Sequence, residues 1–344
     1  MKKEIRDLIR ASREKSVEPI VPIPVGTAPV STPVDLVKAG DIVRDIVPAD
    51  LFDEVIDPKD VGYTHPVFLQ CFLPVRHTDK NRERWQTDCG RMSLVIRAGE
   101  LANPEKPNDF KKCIVPAGPK ARFVVAYVND QIQRRNNPTV NMGDSLREAM
   151  RTMNIAVGGK NGQLLQREVE NFAASEITIT GWYEREVVSE GGRVAPKMRF
   201  WLEKDPQQGT IWQSEMTVSR EYFDGVREGD RLAPFYWPAM VALQHDTRAM
   251  DIHFFLTYRL KNGLKRPVVL HTKALHELFG IGIEQVDHFW PRFLESLSHA
   301  RKWYPQARID VKNDCIILQD SPPLIPYRKL FRIAGPSVDN SVNQ

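Results

Sequence analysis

The same order of local signals, helix, short strand, helix, turn, helix and hairpin, occurs twice along this chain, so its fold is restricted to two copies of one small three-helix unit. In the first copy, Met92, Leu94 and Ile96 alternate with Ser93, Val95 and Arg97 as in a half-buried strand, which ends at Ala98-Gly99. An apolar run, Cys113 to Val115, and the turn Pro116-Ala117-Gly118-Pro119 precede a helix with Phe123, Val124, Tyr127, Val128 and Ile132 on one stripe. Arg134 and Arg135 end that helix, where cations favour the dipole. Val140 and Met142 form a short strand, and Ser145-Leu146-Arg147-Glu148 reads as a capping box opening a helix that buries Leu146, Ala149, Met150 and Met153. After Gly158-Gly159-Lys160-Asn161-Gly162, a third helix turns Leu165, Val169 and Phe172 inward and Gln163, Gln166, Arg167, Glu170 and Asn171 outward. Ile177 to Arg185 and Met198 to Leu202 read as a hairpin joined by a mobile, glycine-containing segment from Glu190 to Lys197.

The second copy starts with Trp237 to Gln244 and Thr247 to Leu260, with Met250, Phe254, Phe255 and Tyr258 inward. Val268 to Leu270 is a strand, Thr272 caps a helix carrying Leu275 and Leu278, and Gly280 and Gly282 break it. From Glu284 to Tyr304, Val286, Phe289, Phe293, Leu297 and Ala300 face in, while Gln285, His288, Arg292, His299 and Lys302 face out. Pro291 removes one helical bond, which predicts an ordered helix beginning near Phe289. Ala307 to Val311 and Cys315 to Leu318 close the unit as a hairpin.

The fold class read from this order is α+β, two tandem winged-helix domains with a partly disordered N-terminal extension. The divisions are a Pro-rich extension over 1–35, with a short basic amphipathic helix at 2–16, and a segment packed on the first domain over 36–90. Winged helices follow over 91–219 and 220–325, then a tail over 326–344. The four cysteines form no CxxC pair or local Cys/His grouping, which predicts reduced, buried thiols and no metal or other cofactor. No apolar run reaches the roughly 18–20 residues that span a bilayer, and the basic start leads into no signal-peptide core, so the reading is cytoplasmic, without a membrane partner.

A net charge of +4 permits a nucleic-acid partner without requiring one, but its distribution is uneven. Lys111, Lys112, Lys120, Arg122, Arg134 and Arg135 cluster against the single acid Asp130, whereas 41–60 is acidic, the pattern of a face that meets phosphate. A helix entering the major groove needs forked or amide donors on its outer face. Arg167 suits guanine O6/N7; Gln163, Gln166 and Asn171 suit adenine. Lys160 with Asn161 in the glycine loop, and Lys120, Arg134 and Arg135 beside it, suit the backbone. His271, Lys273, Gln285, His288, Arg292 and Lys302 are the counterparts in the second unit.

Catalytic patterns are missing. The glycine loop lacks P-loop spacing and the Ser/Thr after lysine, none of the eight histidines is spaced two from another as a rolling-circle nuclease requires, and no G-x-S-x-G or HExxH occurs. The expectation is a binding protein and not an enzyme. Trp182, Trp201, Trp212, Trp237, Trp290 and Trp303 read as core or interface anchors.

Particular residues carry a family resemblance across 70–325. They are Phe72-Leu73-Pro74 with Arg76, the Arg91 to Gly99 strand, Gly143-Asp144-Ser145-Leu146 with Met150 and Arg151, Gly158-Gly159 leading into the Gln166 helix, and Ser321-Pro322-Pro323. In these the chain resembles RepA-type initiators of theta-replicating plasmids; Val115-Pro116-Ala117-Gly118 departs from the family by lacking an aromatic between proline and glycine. The resemblance implies binding to short direct repeats (iterons) in double-stranded origin DNA, opening of an adjacent AT-rich region, and engagement of the host replicative helicase and host initiator protein. It also implies a monomer–dimer equilibrium with autorepression by the dimer. Residues alone leave two alternatives open, a transcriptional repressor or partition-type DNA-binding protein without initiation, and a protein-interaction module.

Overall fold

The computed structural model describes residues 56–103, 106, 108–182, 187–201, 212–227 and 233–325. All lie in one of the chain's two compact units, Lys38–Gln344; the other, Met1–Val37, falls outside the described residues, as do the expected basic helix, the Pro-rich extension and the tail.

The chain enters through a short 3-10 turn, Pro58–Asp60, capped by the Asp57 carboxylate accepting from Lys59 N at 2.9 Å, and continues into β1 (Val61–Thr64). A second 3-10 turn, Pro66–Leu69, is capped by His65 Nδ1 and buries Phe68 and Leu69. Then follow β2 (Arg84–Cys89), β3 (Met92–Arg97), β4 (Glu100–Ala102), β5 (Phe110–Lys112) and α1 (Gly118–Arg135). The series continues with β6 (Thr139–Asn141), α2 (Leu146–Thr152), α3 (Gly159–Ala174), β7 (Glu176–Trp182), β8 (Val187–Arg193), β9 (Lys197–Trp201), β10 (Trp212–Thr217) and α4 (Arg220–Arg227). The second half holds β11 (Ala233–Tyr236), α5 (Trp237–Ala242), α6 (Thr247–Arg259), β12 (Val268–His271), α7 (Thr272–Phe279), α8 (Val286–Lys302), β13 (Ile309–Val311) and β14 (Cys315–Leu318).

Each half closes with a three-stranded antiparallel sheet in which the strand before the second helix pairs with the last strand, not with the one that follows the third helix. The orders are β6-β10-β9 and β12-β14-β13. Two strands expected to form the first hairpin do something else. β7 pairs with β8 from Glu176↔Arg193 to Trp182↔Val187 and with β3 on its other side, making the antiparallel sheet β2-β3-β7-β8. The segment read as mobile, Glu190 to Lys197, is therefore largely ladder. Gly191 is there because a Cβ would lie 2.6 Å from Ile177 O, a close approach of two backbones.

Helix α1 is the centre of the described unit. Pro119 sits at its first turn, and Asn136, left-handed at φ +50°, stops it. Every residue from Ala121 to Asp130 is buried, so the helix has no solvated face and the expected single stripe is too narrow a description. Its polar groups are paired in consequence. Asn129 donates to Thr64 Oγ1 at 2.8 Å and accepts from Tyr222 OH at 2.7 Å, and Asp130 accepts from Tyr63 N at 3.0 Å. Arg122 makes a two-pronged contact with Asp251 of α6, both bonds 2.6 Å, and donates to the carbonyls of Leu73, Pro74 and Gly118.

Those bonds join the two halves and the 61–75 segment into one core, which runs from Val61 to Ile325. The upstream segment packs on both halves: Tyr63 and Thr64 bond Asp130 and Asn129 of α1 in the first, while in the second β1 pairs with β11 and Phe72 stacks on Phe279 with ring centroids 5.3 Å apart. Cys71, Cys113 and Cys315 are buried free thiols and Cys89 is half-buried. Trp182, expected as an anchor, is 43% exposed, while Trp237, Trp290 and Trp303 are partly buried against the core. The side chains of Trp201 and Trp212 fall outside the described residues.

Candidate nucleic-acid interface

In the first half the candidate surface is made by the turn from α2 into α3. Ser145 Oγ caps α2 by accepting from Glu148 N at 3.2 Å, and the Glu148 carboxylate reaches back to Asp144 N at 2.8 Å, one residue before the cap itself. Asn154, left-handed at φ +53°, ends the helix, and the Asn161 amide donates to Ala156 O at 2.9 Å to close the turn. Gly162 lets α3 seat against α2, since a Cβ there would meet Leu146 Cδ2 at 3.0 Å. Beyond the turn, Gly158 and Gly159 face open space.

Leu165, Val169 and Phe172 bury the inner side of α3, and Lys160, Gln163 and Arg167, spaced three and four apart, stand exposed on one stripe of its first two turns, with Gln166 half-buried beside them. The unsatisfied amides at this helix start add a partial positive charge. Arg167 is braced: its Nε donates to Glu168 Oε1 at 3.0 Å while its side chain stays 46% exposed. Glu168 is buried and also bonds His77 Nε2 at 3.0 Å and Ala117 N at 3.0 Å. A guanidinium tied through Nε keeps its two terminal nitrogens for other acceptors, the fork that matches guanine O6/N7.

The rest of α3 does not face out. Glu170 and Asn171, expected on the outer ridge, are buried because residues 111–117 lie across them as a strap. Lys111 Nζ pairs with Glu170, Ile114 N donates to Asn171 Oδ1 at 3.1 Å, and the Asn171 amide turns to Glu168. The expected phosphate cluster is dispersed likewise. Lys120, only 7% exposed, donates to Gln244 Oε1 at 3.2 Å and lies over the Phe123 ring, and burial lowers its pKa. Arg122 is the buried link to Asp251, and Arg134 donates to Asp130 at 2.8 Å and to Val61 O. Arg135 alone of the three arginines extends free of ion pairs among the described residues, exposed at the end of α1. Asn161 is half-buried and committed to its turn.

In the second half, His271 caps α7 by backbone position only, and the Thr272 hydroxyl, expected as the cap, donates instead to Asp314 O at 2.7 Å. His276 Nε2 closes the following turn on Ile283 O at 2.7 Å. Helix α8 starts at Val286 and carries Pro291 inside it, so the proline deletes one bond without delaying the helix as expected. Val286, expected inside, is 41% exposed. Gln285, His288 and Arg292 form an exposed stripe at the helix start, the same spacing as on α3. His299, expected outside, is half-buried and held by Asp246 at 2.9 Å. Lys302 is exposed, but roughly 25 Å further along the axis from Gln285 at 1.5 Å per residue, so it belongs to a different surface. Lys273 and His271 are exposed beside the β13–β14 hairpin.

Two exposed cations were missed in the sequence. Arg147 and Arg151 lie one turn apart on α2, both exposed, and have no ion pair among the described residues. Their i, i+4 spacing next to the capping box was the available signal. No helix of the described residues is long and apolar enough to cross a membrane.

Comparison with solved structures finds similarity to two crystal structures of domains 2 and 3 of RctB. One, RctB 155–483, has TM-score 0.47 and 12% identity over 78% of this chain and 99% of that one. The other, a selenomethionine derivative, has TM-score 0.45 and 11% identity over 73% and 97%. Comparison with curated proteins gives no match. Residues 121–266, from the central helix through the start of the second half, match the family described as plasmid encoded RepA protein.

Proposed function

We propose that the protein is a plasmid replication initiator that binds direct repeats in double-stranded origin DNA through two winged-helix units and works by binding without catalysis. One observation carries this reading. Both halves share a helix, strand, helix, helix order closed by a sheet of the same first-third-second strand order, with β7 and β8 added only in the first, and both carry an exposed polar stripe on the first turns of the third helix. That is where a helix-turn-helix protein presents its base-reading side chains. Lys160, Gln163 and Arg167, and Gln285, His288 and Arg292, are the proposed groove residues, with Lys273 and Arg135 near the backbone. The buried Arg122–Asp251 pair supports simultaneous engagement, since it fixes one half against the other. RepA-type character adds origin opening, contact with the host helicase and host initiator, and a monomer–dimer balance to the proposal.

The test is footprinting of the purified protein on the DNA flanking its own gene. Protection of direct repeats is expected, with an affinity falling by about 0.9 in log K per log salt for each phosphate neutralised. Unprotected DNA and salt-independent binding would overturn the reading. Placing the gene and its repeats on a replicon without an origin separates initiation from repression, because only an initiator restores replication.

A further inference from the structure

The ladder between β12 and β14 brings His271 up to the neighbouring pair Asp314 and Cys315, which lie far from it in the sequence. His271 is the direct partner of Cys315 across the two strands. Asp314 belongs to the turn before β14, and its carbonyl accepts from both Thr272 N at 2.8 Å and Thr272 Oγ1 at 2.7 Å. The turn is closed by Lys312 N donating to Cys315 O at 2.9 Å. This backbone frame leaves an imidazole nitrogen, a carboxylate oxygen and the thiol sulfur all within 4.8 Å of one another. His271 Nδ1 and Asp314 Oδ2 are 4.0 Å apart, and both side chains are exposed while Cys315 is buried.

We propose that His271, Asp314 and Cys315 form a divalent-metal site for an ion of the zinc type. A thiolate, an imidazole and a carboxylate are the ligand set of a borderline ion; magnesium and calcium take oxygen alone. A tetrahedral zinc ion with bonds of about 2.0–2.3 Å sets its ligand atoms roughly 3.4–3.7 Å apart, a closure that two exposed side chains reach by rotation while the hydrogen-bonded backbone stays in place. Cys315 binds as the thiolate and its proton goes to solvent. The ion's two positive charges are balanced by thiolate and carboxylate, and water fills the fourth position. The ion clips the β13–β14 turn to the start of α7. This site stands whether or not the neighbouring surface meets DNA.

The experiment uses the full chain, stripped with chelator, desalted and titrated with Co²⁺ and then Zn²⁺. One equivalent of cobalt is expected to give the near-ultraviolet charge-transfer band of a thiolate ligand with intense visible tetrahedral bands, both bleached by zinc, and the melting temperature is expected to climb with the logarithm of zinc concentration. Cys315→Ser is expected to abolish the charge-transfer band, and His271→Ala and Asp314→Asn, both at exposed positions, to weaken cobalt binding by at least about tenfold. An unchanged spectrum on adding cobalt overturns the site. So does a thiolate band that survives in Cys315→Ser, which would place the metal on Cys71, Cys89 or Cys113, or an affinity indifferent to His271→Ala.

Discussion

The substitution Asp251→Ala tests how the two halves are held. Asp251 and Arg122 have side chains 3% and 4% exposed and face each other through two bonds of 2.6 Å, so neither charge has water as an alternative partner. Removing the carboxylate leaves a buried guanidinium whose remaining contacts are three carbonyl groups, those of Leu73, Pro74 and Gly118. Breaking a buried pair from one side costs about 3–5 kcal/mol, against about 1 kcal/mol or less for a surface pair. At roughly 2–4 °C per kcal/mol for a unit of this size, the melting temperature is expected to drop by about 6–20 °C. Thermal unfolding followed by near-ultraviolet circular dichroism measures the drop, and a cycle with Arg122→Met and the double variant isolates the coupling. The double variant is expected to recover much of the loss, because an apolar side chain opposite a small one strands no charge. A melting temperature within about a degree of wild type for Asp251→Ala, or a double variant as unstable as the sum of both singles, would refute the claim that this pair is a buried, mutually dependent link.

The remaining predictions concern DNA binding and pH. Arg167→Ala is expected to reduce discrimination between repeat and random duplex by about 1–3 kcal/mol, whereas Arg135→Ala weakens both equally and lowers the salt slope by about 0.9; competition binding at several salt concentrations separates them. Glu168→Gln is expected to cost part of the same discrimination without touching DNA, because it loosens the brace on Arg167 Nε; unchanged specificity in a folded variant counts against the brace. His253 lies fully buried in α6 beside the Ala300 backbone with neither ring nitrogen hydrogen-bonded among the described residues, and burial holds its pKa down to about 4 from 6.5. The unfolded chain therefore takes up a proton first, so this residue's contribution is complete above pH 6.5 and is lost as pH falls from there to about 4. The loss amounts to about 2 kcal/mol by pH 5, and His253→Leu is expected to remove that part of the pH slope in urea unfolding.

Local periodicity was enough to find most helices and the doubled order, because an amphipathic stripe is a property of the segment itself. It was not enough to say which charges stay in water. A stripe identifies one buried side, and α1 is buried on all sides from Ala121 to Asp130: β1 covers it from upstream, α3 and α4 from downstream, and Asp251 of α6 meets its Arg122 from the second half. Lys120, Arg122 and Arg134 read as a phosphate-facing cluster because those covers come from residues far off in sequence, yet each cation is spent on a partner there: Gln244, Asp251 and the Val61 carbonyl. Asn171 and Glu170 failed for the same reason, through the strap at 111–117. The His271–Cys315 juxtaposition was invisible because strand pairing creates it.

The residues that survived as groove candidates share a physical circumstance. Lys160, Gln163 and Arg167, like Gln285, His288 and Arg292, occupy the first turns of a helix immediately after a tight loop, where the chain has just come in from solvent and nothing non-local has yet closed over it. Further along each helix the covers arrive: Glu168 is already buried one residue after Arg167, and Ser296 four residues after Arg292. The transition on α3 is itself useful, since the buried Glu168 carboxylate, fixed by Ala117 N and His77, is what can hold the exposed Arg167 in one orientation. A base-reading arginine benefits from that position more than from a fully solvated one, because the rotamer freedom it would lose on binding is already reduced in the free protein.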